Sequence, residues 1–402
     1  MIPEGFLFSA INADINGSSS EKEDLGLIYC KHPAFVSGAF TKNLVKAAPV
    51  IIGIDLVKKG AIRAIVANSG NANACTGDAG LTDAFMIMKC VASELGVGQQ
   101  EVIPLSTGVI GVRLPAEKII KKIAPLVEGL SPDALRFARS IMTTDTYPKI
   151  CSEKAGRAKV LGIAKGSGMI APDMACLAGR QATTLAVVLT DAKVDRQLLD
   201  IITENATEAS FNAISVDGDT STNDTLLVLT SNMIDADIAD IKDAITNVIR
   251  ELAMMVVRDG EGATKVASIM VKGTKTDQDA KKVAMCIANS LLVKTALFGA
   301  DPNWGRIMAA IGRSGVKIDP NIISIKMGGL SVVDKGLEAK DFDEDSIRNV
   351  LSVHHWRSGP SARGGLKEIL IEITLGDGPG RFKAWTTDLT YKYVEINSSY
   401  RT

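Results

Sequence analysis

The sequence is poor in the residues from which metal sites and disulfide frameworks are built. It has three histidines and six cysteines in 402 residues, and no two cysteines form a CxxC pair. Zinc sites need clustered cysteine and histidine, and disulfide scaffolds need closely spaced cysteines. We therefore expect a protein without a metal ion or a structural disulfide, which is typical of a reducing compartment.

An excess of charge and long apolar runs are also missing. The 45 basic and 46 acidic residues leave a net charge of -1, which gives no general attraction to nucleic acid or to an anionic membrane. The N-terminal MIPEGFLFSA lacks a basic region followed by an apolar stretch. No run approaches the roughly 20 apolar residues of a membrane span. We expect a cytoplasmic protein whose partners are small molecules or other proteins.

The aliphatic residues that are present indicate the fold class. Hydrophobic residues make up 46% of the chain and aromatic residues only 4%, so the core is expected to be mainly aliphatic. Segments with a helical period of three or four residues alternate with short β-branched runs. This alternation predicts an α/β layered protein. A chain of this length exceeds what a single core usually supports, so we expect two lobes.

Four segments show what these patterns predict locally. The apolar spacing predicts single helices over 115–130, 131–142 and 277–299, with Ser131 as the cap of the second. The alternating segment YKYVEIN, residues 391–397, predicts a strand.

A Thr-Thr pair stands at the entrance of the apolar strand TTLAVVLT, residues 183–190. Considered alone, Thr183 is most simply a β-branched strand residue. A threonine acts as a nucleophile only if a base takes its proton, and its own α-amino group, with a pKa near about 8, can do so. Cleavage of the Ala182–Thr183 bond would create that amino group. The stretch therefore admits a self-processing nucleophile as a second interpretation.

Several polar, glycine-rich segments could contribute to a ligand site, but each is a weak signal alone. AKGSGM, residues 164–169, lacks the order of a phosphate-binding P-loop, and no GxGxxG opens a helix after a strand. Nucleotide cofactors are therefore not indicated. The other segments include LSTGVIG (105–111), MTTDT (142–146), VDGDTSTND (216–224), RDGEGATK (258–265) and the terminal NSSYRT (397–402).

Taken together in their order along the chain, these segments and the strand segment TTLAVVLT resemble the glutamate N-acetyltransferase family of arginine biosynthesis, also called ornithine acetyltransferase or ArgJ. The resemblance covers almost the whole chain, from NLVKAAPV to YRT. It implies a layered α/β fold of two lobes, with mixed sheets flanked by helices. It further implies a precursor that cuts itself at an Ala-Thr bond, here into an α chain of residues 1–182 and a β chain of residues 183–402, which assemble as α2β2.

The resemblance also implies a reaction and a set of site residues. Thr183 would take an acetyl group from N-acetylornithine and give it to glutamate through an ester, with no metal or organic cofactor. Thr107 and Gly108 match the oxyanion-hole pair. The positions that match the family's substrate-binding residues, in addition to Thr183, are Thr143, Lys165, Glu261, Asn397 and Thr402.

The residue types suit such a ligand. The ammonium group of Lys165 is a compact charge with three donors, which fits an α-carboxylate. Glu261 fits a charged amine such as that of ornithine. An ion pair between Lys165 and Glu261 would satisfy both side chains without any substrate, so this alternative stays open.

The sequence departs from the family pattern at the expected cleavage point. The family continues from Met-Ala directly into the nucleophilic threonine, but Cys176 stands there in this chain and the segment CLAGRQA, residues 176–182, precedes Thr183. The count to Asp191, eight residues downstream of Thr183, agrees with the family. Three outcomes follow: Thr183 is the nucleophile, Cys176 is an alternative nucleophile, or the chain is not processed.

Two other functions remain open at this stage. A self-processing amidohydrolase or aminopeptidase would use water in place of glutamate as the acceptor. A chain that is not processed would be a non-catalytic protein that binds an amino acid. Whether acetyl-CoA also serves as an acetyl donor is not indicated by any motif.

Overall fold

The structure is a computed structural model that describes residues 1–176, 184–352 and 368–399, with the side chains of residues 175 and 176 excluded. Thr183 and Thr402 lie outside the described residues. The chain divides into two compact units. Among the described residues, the first contains Met1–Asn212 and Asp219–Val256, and the second contains Ala213–Gly218 and residues 257–399.

The first unit is built on a mixed sheet that has nine strands among the described residues. Its main path runs β4-β3-β2-β10-β8-β6-β5, and both β1 and β7 pair with the long, bent β2. These strands are β1 (Phe6–Ile11), β2 (Leu25–Thr41), β3 (Ala61–Asn68), β4 (Val102–Ser106), β5 (Lys149–Ala155), β6 (Ala158–Lys165), β7 (Met174–Cys176), β8 (Leu185–Ala192) and β10 (Thr225–Ile234).

Strand β8 lies in the interior of this sheet. It pairs antiparallel with β6, where Leu185 is opposite Lys165, and parallel with β10, where Leu185 is opposite Thr225. Every residue of β8 is buried. A strand with a partner on both sides and apolar side chains on both faces is held rigidly.

Helices cover the first sheet and enclose an aliphatic core, as the scarcity of aromatic residues predicts. Helix α1 packs against β4 and β2, α6 against β2, and α5 against β1. The helices are α1 (Ala48–Lys59), α2 (Gly77–Leu95), α3 (Ala116–Ile120), α4 (Ile123–Glu128), α5 (Ala134–Ser140), α6 (Arg196–Glu208) and α7 (Ile238–Arg258).

The second unit has its own mixed sheet, in the order β14-β13-β12-β15-β11-β16-β9. Its strands are β9 (Ile214–Ser215), β11 (Val266–Gly273), β12 (Ser324–Met327), β13 (Leu330–Asp334), β14 (Leu337–Glu338), β15 (Ile369–Thr374) and β16 (Gly378–Thr387). Its helices are α8 (Asp277–Ala288), α9 (Leu291–Phe298), α10 (Trp304–Gly312), α11 (Glu344–Leu351) and α12 (Tyr391–Ser399). Helix α8 packs on β16 and β11. Two mixed sheets with flanking helices confirm the predicted α/β class.

Two of the predicted helices are each interrupted in the structure. The segment 115–130 forms α3 and α4, because Pro125 has no N–H and its ring would clash with the carbonyl of Lys121 in a continuous helix. The segment 277–299 forms α8 and α9, because the hydroxyl of Ser290 accepts a hydrogen bond from the Val293 amide and starts a new helix.

The predicted cap of the helix in 131–142 is wrong. Asp133 caps α5, with its carboxylate accepting from the Leu135 amide. Ser131 instead forms an isolated β-bridge with Phe8. An aspartate two residues later offers a stronger acceptor, and the pairing with Phe8 is a tertiary contact that local sequence does not reveal.

The predicted strand over 391–397 is also wrong, because this segment forms most of α12. The Thr390 hydroxyl accepts a hydrogen bond from the Tyr393 amide at 3.2 Å and donates one to the Gly262 carbonyl at 2.6 Å. These bonds start a helix where alternation of residue types indicated a strand.

The predicted chain boundary between residues 182 and 183 lies inside the first unit, between β7 and β8. The division into two chains stays a prediction. Among the described helices, none is both long and apolar enough to cross a membrane. Nor do the described residues bring three His, Cys, Asp or Glu side chains together as a set of metal ligands.

Candidate active site

Thr107 and Gly108 form a tight loop directly after β4. The Thr107 amide donates to the Asn68 carbonyl at 3.0 Å. Gly108 has φ +132°, and a Cβ atom there would lie 2.4 Å from the backbone carbon of Gly70 and 2.5 Å from the nitrogen of Asn71. Only glycine allows two backbone segments to approach so closely. The loop is therefore fixed by its backbone.

A buried polar network supports this loop from behind. Asn223 donates from Nδ2 to the Ala72 carbonyl at 2.6 Å and to the Ser106 carbonyl at 2.7 Å. The Ser106 hydroxyl donates to Oδ1 of Asn68 at 2.6 Å. Since the Ser106 carbonyl belongs to the peptide that carries the Thr107 amide, these bonds orient that peptide. Asn223 lies in the segment VDGDTSTND, and no pattern in the sequence indicates this supporting role.

Lys165 lies beside Thr107. Its Nζ donates to the Thr107 hydroxyl at 3.2 Å, and each of the two residues is 9% exposed. An ammonium group has donors only, so the Thr107 oxygen must accept this bond. The hydroxyl proton of Thr107 is therefore directed toward a different acceptor. A hydroxyl donor beside an ammonium group is well suited to bind a carboxylate or a developing oxyanion.

The entrance of β8 adjoins Lys165. Leu185, the first residue of β8, is opposite Lys165 in the sheet, and the Thr184 carbonyl accepts from the Thr225 amide at 2.7 Å. A Cβ atom on Gly166 would lie 3.7 Å from Cγ2 of Thr184. The residue that directly follows Thr183 is thus beside Lys165. The backbone of Cys176 pairs instead with Ala39 in β2.

Asp145 connects the loop of Thr143 to the end of β6. One carboxylate oxygen accepts from the Gly166 amide at 2.7 Å and from Nζ of Lys149 at 2.6 Å, and the other accepts from the Thr143 amide at 2.9 Å. The Asp145 and Lys149 side chains are fully buried. Burial favours a higher pKa of Asp145, but the charges of Lys149 and Lys165 and the Gly166 amide outweigh it and hold the pKa well below its usual value.

The second unit holds two further predicted site residues, Glu261 and Asn397. Nδ2 of Asn397, on α12, donates to Oε2 of Glu261 at 2.8 Å and to the Tyr393 carbonyl at 3.0 Å. Gly262 has φ +66°, and a Cβ atom there would lie 2.5 Å from the Tyr393 nitrogen. This glycine allows α12 to lie against the Glu261 loop, so that the two side chains meet.

The second unit also contains a buried lysine that the sequence patterns did not indicate. Lys294, on α9, donates to the Thr386 hydroxyl at 2.9 Å and to the carbonyl and hydroxyl of Thr387 at 2.6 and 3.2 Å. Burial lowers the pKa of Lys294 to about 8, although the charges of Asp217 and Asp388 oppose the shift. Because all its donors have protein acceptors, this lysine joins α9 to β16.

The predicted site residues therefore form two described groups. Thr107, Gly108, Thr143 and Lys165 share one end of the first sheet, and Glu261 and Asn397 are paired in the second unit. The described residues exclude Thr183, Thr402 and the side chain of Cys176, so their parts in the site stay predictions. Lys165 and Glu261 belong to different units.

Comparison with known proteins identifies the family. A sequence model of the ArgJ family matches residues 7–402. The chain belongs to this family. It is 43% identical to the arginine biosynthesis bifunctional protein ArgJ of Geobacter sulfurreducens over 413 aligned residues, which cover 99% of both chains. The ArgJ protein of Syntrophotalea carbinolica is 44% identical, again over 99% of each chain.

Solved structures of ArgJ proteins are also similar to parts of the chain. One, from Bacillus halodurans, shares 36% identity with a TM-score of 0.46 and covers 52% of this chain and 96% of its own. Another, an ornithine acetyltransferase of Mycobacterium tuberculosis complexed with ornithine, shares 35% identity with a TM-score of 0.38 and covers 43% of this chain and 94% of its own. As an ArgJ family member, the chain is an acetyltransferase of arginine biosynthesis.

Proposed function

We propose that this ArgJ family member transfers acetyl from N-acetylornithine to glutamate through an ester on Thr183, after the chain cuts itself between Ala182 and Thr183. The observation that carries the proposal is the Lys165–Thr107 hydrogen bond next to the entrance of β8. It brings an oxyanion donor and a carboxylate-binding group to the strand that Thr183 precedes. The rigid interior position of β8 favours Thr183 over Cys176 as the nucleophile.

In the proposed cleavage, the Thr183 hydroxyl attacks the Ala182 carbonyl. The Thr107 hydroxyl and the Gly108 amide stabilise the negative oxygen of the tetrahedral species. The C–N bond then breaks, the nitrogen takes up a proton, and an ester joins Ala182 to the Thr183 oxygen. Water hydrolyses this ester, which leaves a carboxylate on Ala182 and a free α-amino group on Thr183.

In the proposed transfer, that α-amino group accepts the hydroxyl proton as the Thr183 oxygen attacks the acetyl carbonyl of N-acetylornithine. The tetrahedral species collapses when the ornithine nitrogen receives the proton and leaves, and acetyl remains on Thr183 as an ester. The amine of glutamate then attacks the ester, and the Thr183 oxygen regains its proton as N-acetylglutamate leaves. Because ornithine leaves before glutamate attacks the acetyl ester, this route predicts ping-pong kinetics.

The remaining site residues would bind the substrate. Lys165 fits the α-carboxylate, with Thr143 beside it, and Glu261 fits the side-chain ammonium of ornithine. We propose that Asn397, Thr402 and Thr183 complete the site, with the α and β chains assembled as α2β2. Acetyl-CoA is a second candidate donor, to be tested in the same assay.

The first experiment compares the wild-type chain with the Thr183→Ala and Cys176→Ala variants. We expect two fragments from the wild type, and sequencing of the C-terminal fragment, residues 183–402, to begin Thr-Thr-Leu-Ala. Thr183→Ala should give one species near 42.5 kDa without acetyl transfer. Cys176→Ala should be cut and active, because the proposed reaction does not use its thiol.

The alternatives give different results in the same experiment. A fragment that begins Cys-Leu-Ala-Gly would assign the nucleophile to Cys176. Release of acetate that does not depend on glutamate would indicate a hydrolase. A folded wild-type chain that stays whole and binds N-acetylornithine without transferring acetyl would indicate a binding protein.

A further inference from the structure

Asp145 is a buried carboxylate to which neither the sequence motifs nor the proposed reaction gives a role. It lies in the loop between α5 and β5, two residues after Thr143, and its side chain is fully buried. Its described hydrogen bonds go to two backbone amides and one lysine. Both amides belong to segments that carry proposed substrate-binding residues.

We propose that Asp145 is a positioning residue that sets the distance between Thr143 and Lys165 and so shapes the part of the site that binds the substrate carboxylate. This inference rests on the proposed function of these two residues. Asp145 is not expected to touch the substrate. It acts through the backbone amides of Thr143 and Gly166, which donate to its two carboxylate oxygens.

The first step of the argument is geometric. The Thr143 amide and the Gly166 amide, which directly follows Lys165, donate to different oxygens of Asp145, at 2.9 and 2.7 Å. Gly166 has φ +145°, a backbone conformation that favours glycine. The planar carboxylate of Asp145 thus fixes the position of the Gly166 backbone, where the chain turns after Lys165. It also fixes the position of the Thr143 backbone. Catalytic and binding geometry is sensitive to displacements on the order of 1 Å.

The second step concerns what holds Asp145 itself. Nζ of Lys149 donates to Asp145 at 2.6 Å, and Lys149 is opposite Ala164 in the β5–β6 ladder. Lys149 also lies 5.0 Å from the centre of the Tyr147 ring. The carboxylate is therefore anchored to the sheet that carries Lys165. The Thr143 backbone is held to the same carboxylate through its amide.

The third step concerns charge. Lys165 and Lys149 both act electrostatically on Asp145, and both lysines are buried. A buried ammonium group is stable only when negative charge or good acceptors compensate for its lost hydration. Asp145 supplies that charge between the two lysines. The site can then present the Lys165 ammonium to a substrate carboxylate in a buried setting.

The test replaces the carboxylate by an amide of the same shape. In Asp145→Asn, one position that accepted an amide proton becomes an NH2 donor and repels either the Thr143 or the Gly166 amide. The single variant also leaves Lys149 without its carboxylate, which can prevent folding. The double variant Asp145→Asn/Lys149→Met removes that buried charge and remains interpretable.

Asp191 provides a matched control. It is 1% exposed and also accepts from two backbone amides, those of Glu4 at 2.8 Å and Lys159 at 2.7 Å. It lies six residues beyond Leu185 on β8, about 20 Å from the Lys165 end at the usual rise per strand residue. Asp191→Asn should lower the melting temperature but leave substrate binding unchanged.

The readouts are the Kd of N-acetylornithine by calorimetry, the melting temperature, and KM and kcat where acetyl transfer occurs. We expect the double variant to raise Kd and KM by at least about tenfold, with kcat changed by less than about threefold. Asp191→Asn should keep Kd within about twofold of the wild type.

An unchanged Kd in the folded double variant would overturn the inference and leave the proposed function standing. Equal loss of affinity in both the double variant and Asp191→Asn would also overturn it, because the effect would then be one of general stability. Conversely, a wild-type chain that binds N-acetylornithine without transferring acetyl, together with weaker binding in the double variant, would support positioning by Asp145 and contradict the proposed reaction.

Discussion

Lys165 in the first unit and Lys294 in the second are both buried lysines that donate to threonine hydroxyls, but their surroundings differ. Lys294 lies within a helix and donates to three oxygens of Thr386 and Thr387. Lys165 ends a strand, precedes a glycine with positive φ, and adjoins the Thr107–Gly108 loop and the start of β8. Burial of a cation alone therefore does not identify a functional site.

The difference lies in what each ammonium group fixes. Lys294 joins α9 to β16 within one continuous core, where three acceptors match its three protons. Lys165 stands where several loops end at one edge of a sheet, which is where ligands bind in many α/β proteins. We therefore assign Lys294 a structural role and retain Lys165 as a proposed substrate ligand. Each assignment leads to a different measurable effect.

The largest effect is expected for Lys165→Ala. In the proposed complex, Lys165 pairs with the α-carboxylate of the substrate in a buried setting. Removal of the Lys165 ammonium group should therefore lower kcat/KM for N-acetylornithine by about a thousandfold. Steady-state kinetics and thermal melting of the same samples measure this, with Lys294→Met as the comparison. Lys294→Met should lower the melting temperature and leave kcat/KM nearly unchanged. Similar losses in both quantities for Lys165→Ala would make Lys165 a structural residue as well.

A smaller effect is expected for Thr107→Val, which keeps the side-chain shape and removes the hydroxyl beside Lys165. One oxyanion donor is usually worth about a hundredfold in rate. Cleavage and transfer pass through similar tetrahedral species, so both should slow by about this factor. A gel time course follows cleavage and a product assay follows transfer. Unchanged rates for both reactions would remove Thr107 from the mechanism.

The smallest expected effect is the contribution of Lys294 to the pH dependence of the free energy of unfolding. Its pKa is lowered to about 8 in the folded state, against about 10.4 when unfolded. Between these values the unfolded state binds more protons, so the free energy of unfolding rises with pH, by an amount on the order of 1–2 kcal/mol from pH 7 to 9.5. Urea denaturation of the wild type and Lys294→Met at both pH values isolates this contribution. An identical pH dependence in the two proteins would contradict the shift.

Local patterns were sufficient for much of the fold. The aliphatic run within TTLAVVLT correctly indicated the buried strand β8, which begins at Leu185, since both faces of such a strand are covered. The errors arose where one residue changes the local geometry. Pro125 and Ser290 interrupt apolar periodicities that otherwise continue, and Thr390 starts a helix in a segment with alternating residue types.

The candidate site was less accessible to such reasoning, because its contacts join distant parts of the chain. Lys165 and Thr107 are 58 positions apart, and Glu261 and Asn397 are 136 apart. The family resemblance indicated these residues individually, but periodicity does not pair them. Asp145 belongs to the segment MTTDT, and its role depends on the two backbone amides that it contacts after folding.

The interior position of β8 has a consequence for how the protein is made. If the chain is cut before Thr183, β6 and β2 belong to one polypeptide and β8 and β10 to the other, although the sheet order is β2-β10-β8-β6. The two products are then interleaved within one hydrogen-bonded ladder, and separating them means unfolding that ladder. Folding before cleavage is unimolecular, whereas recovery afterwards requires two chains to meet. Cleavage would thus make the protein's stability depend on its concentration.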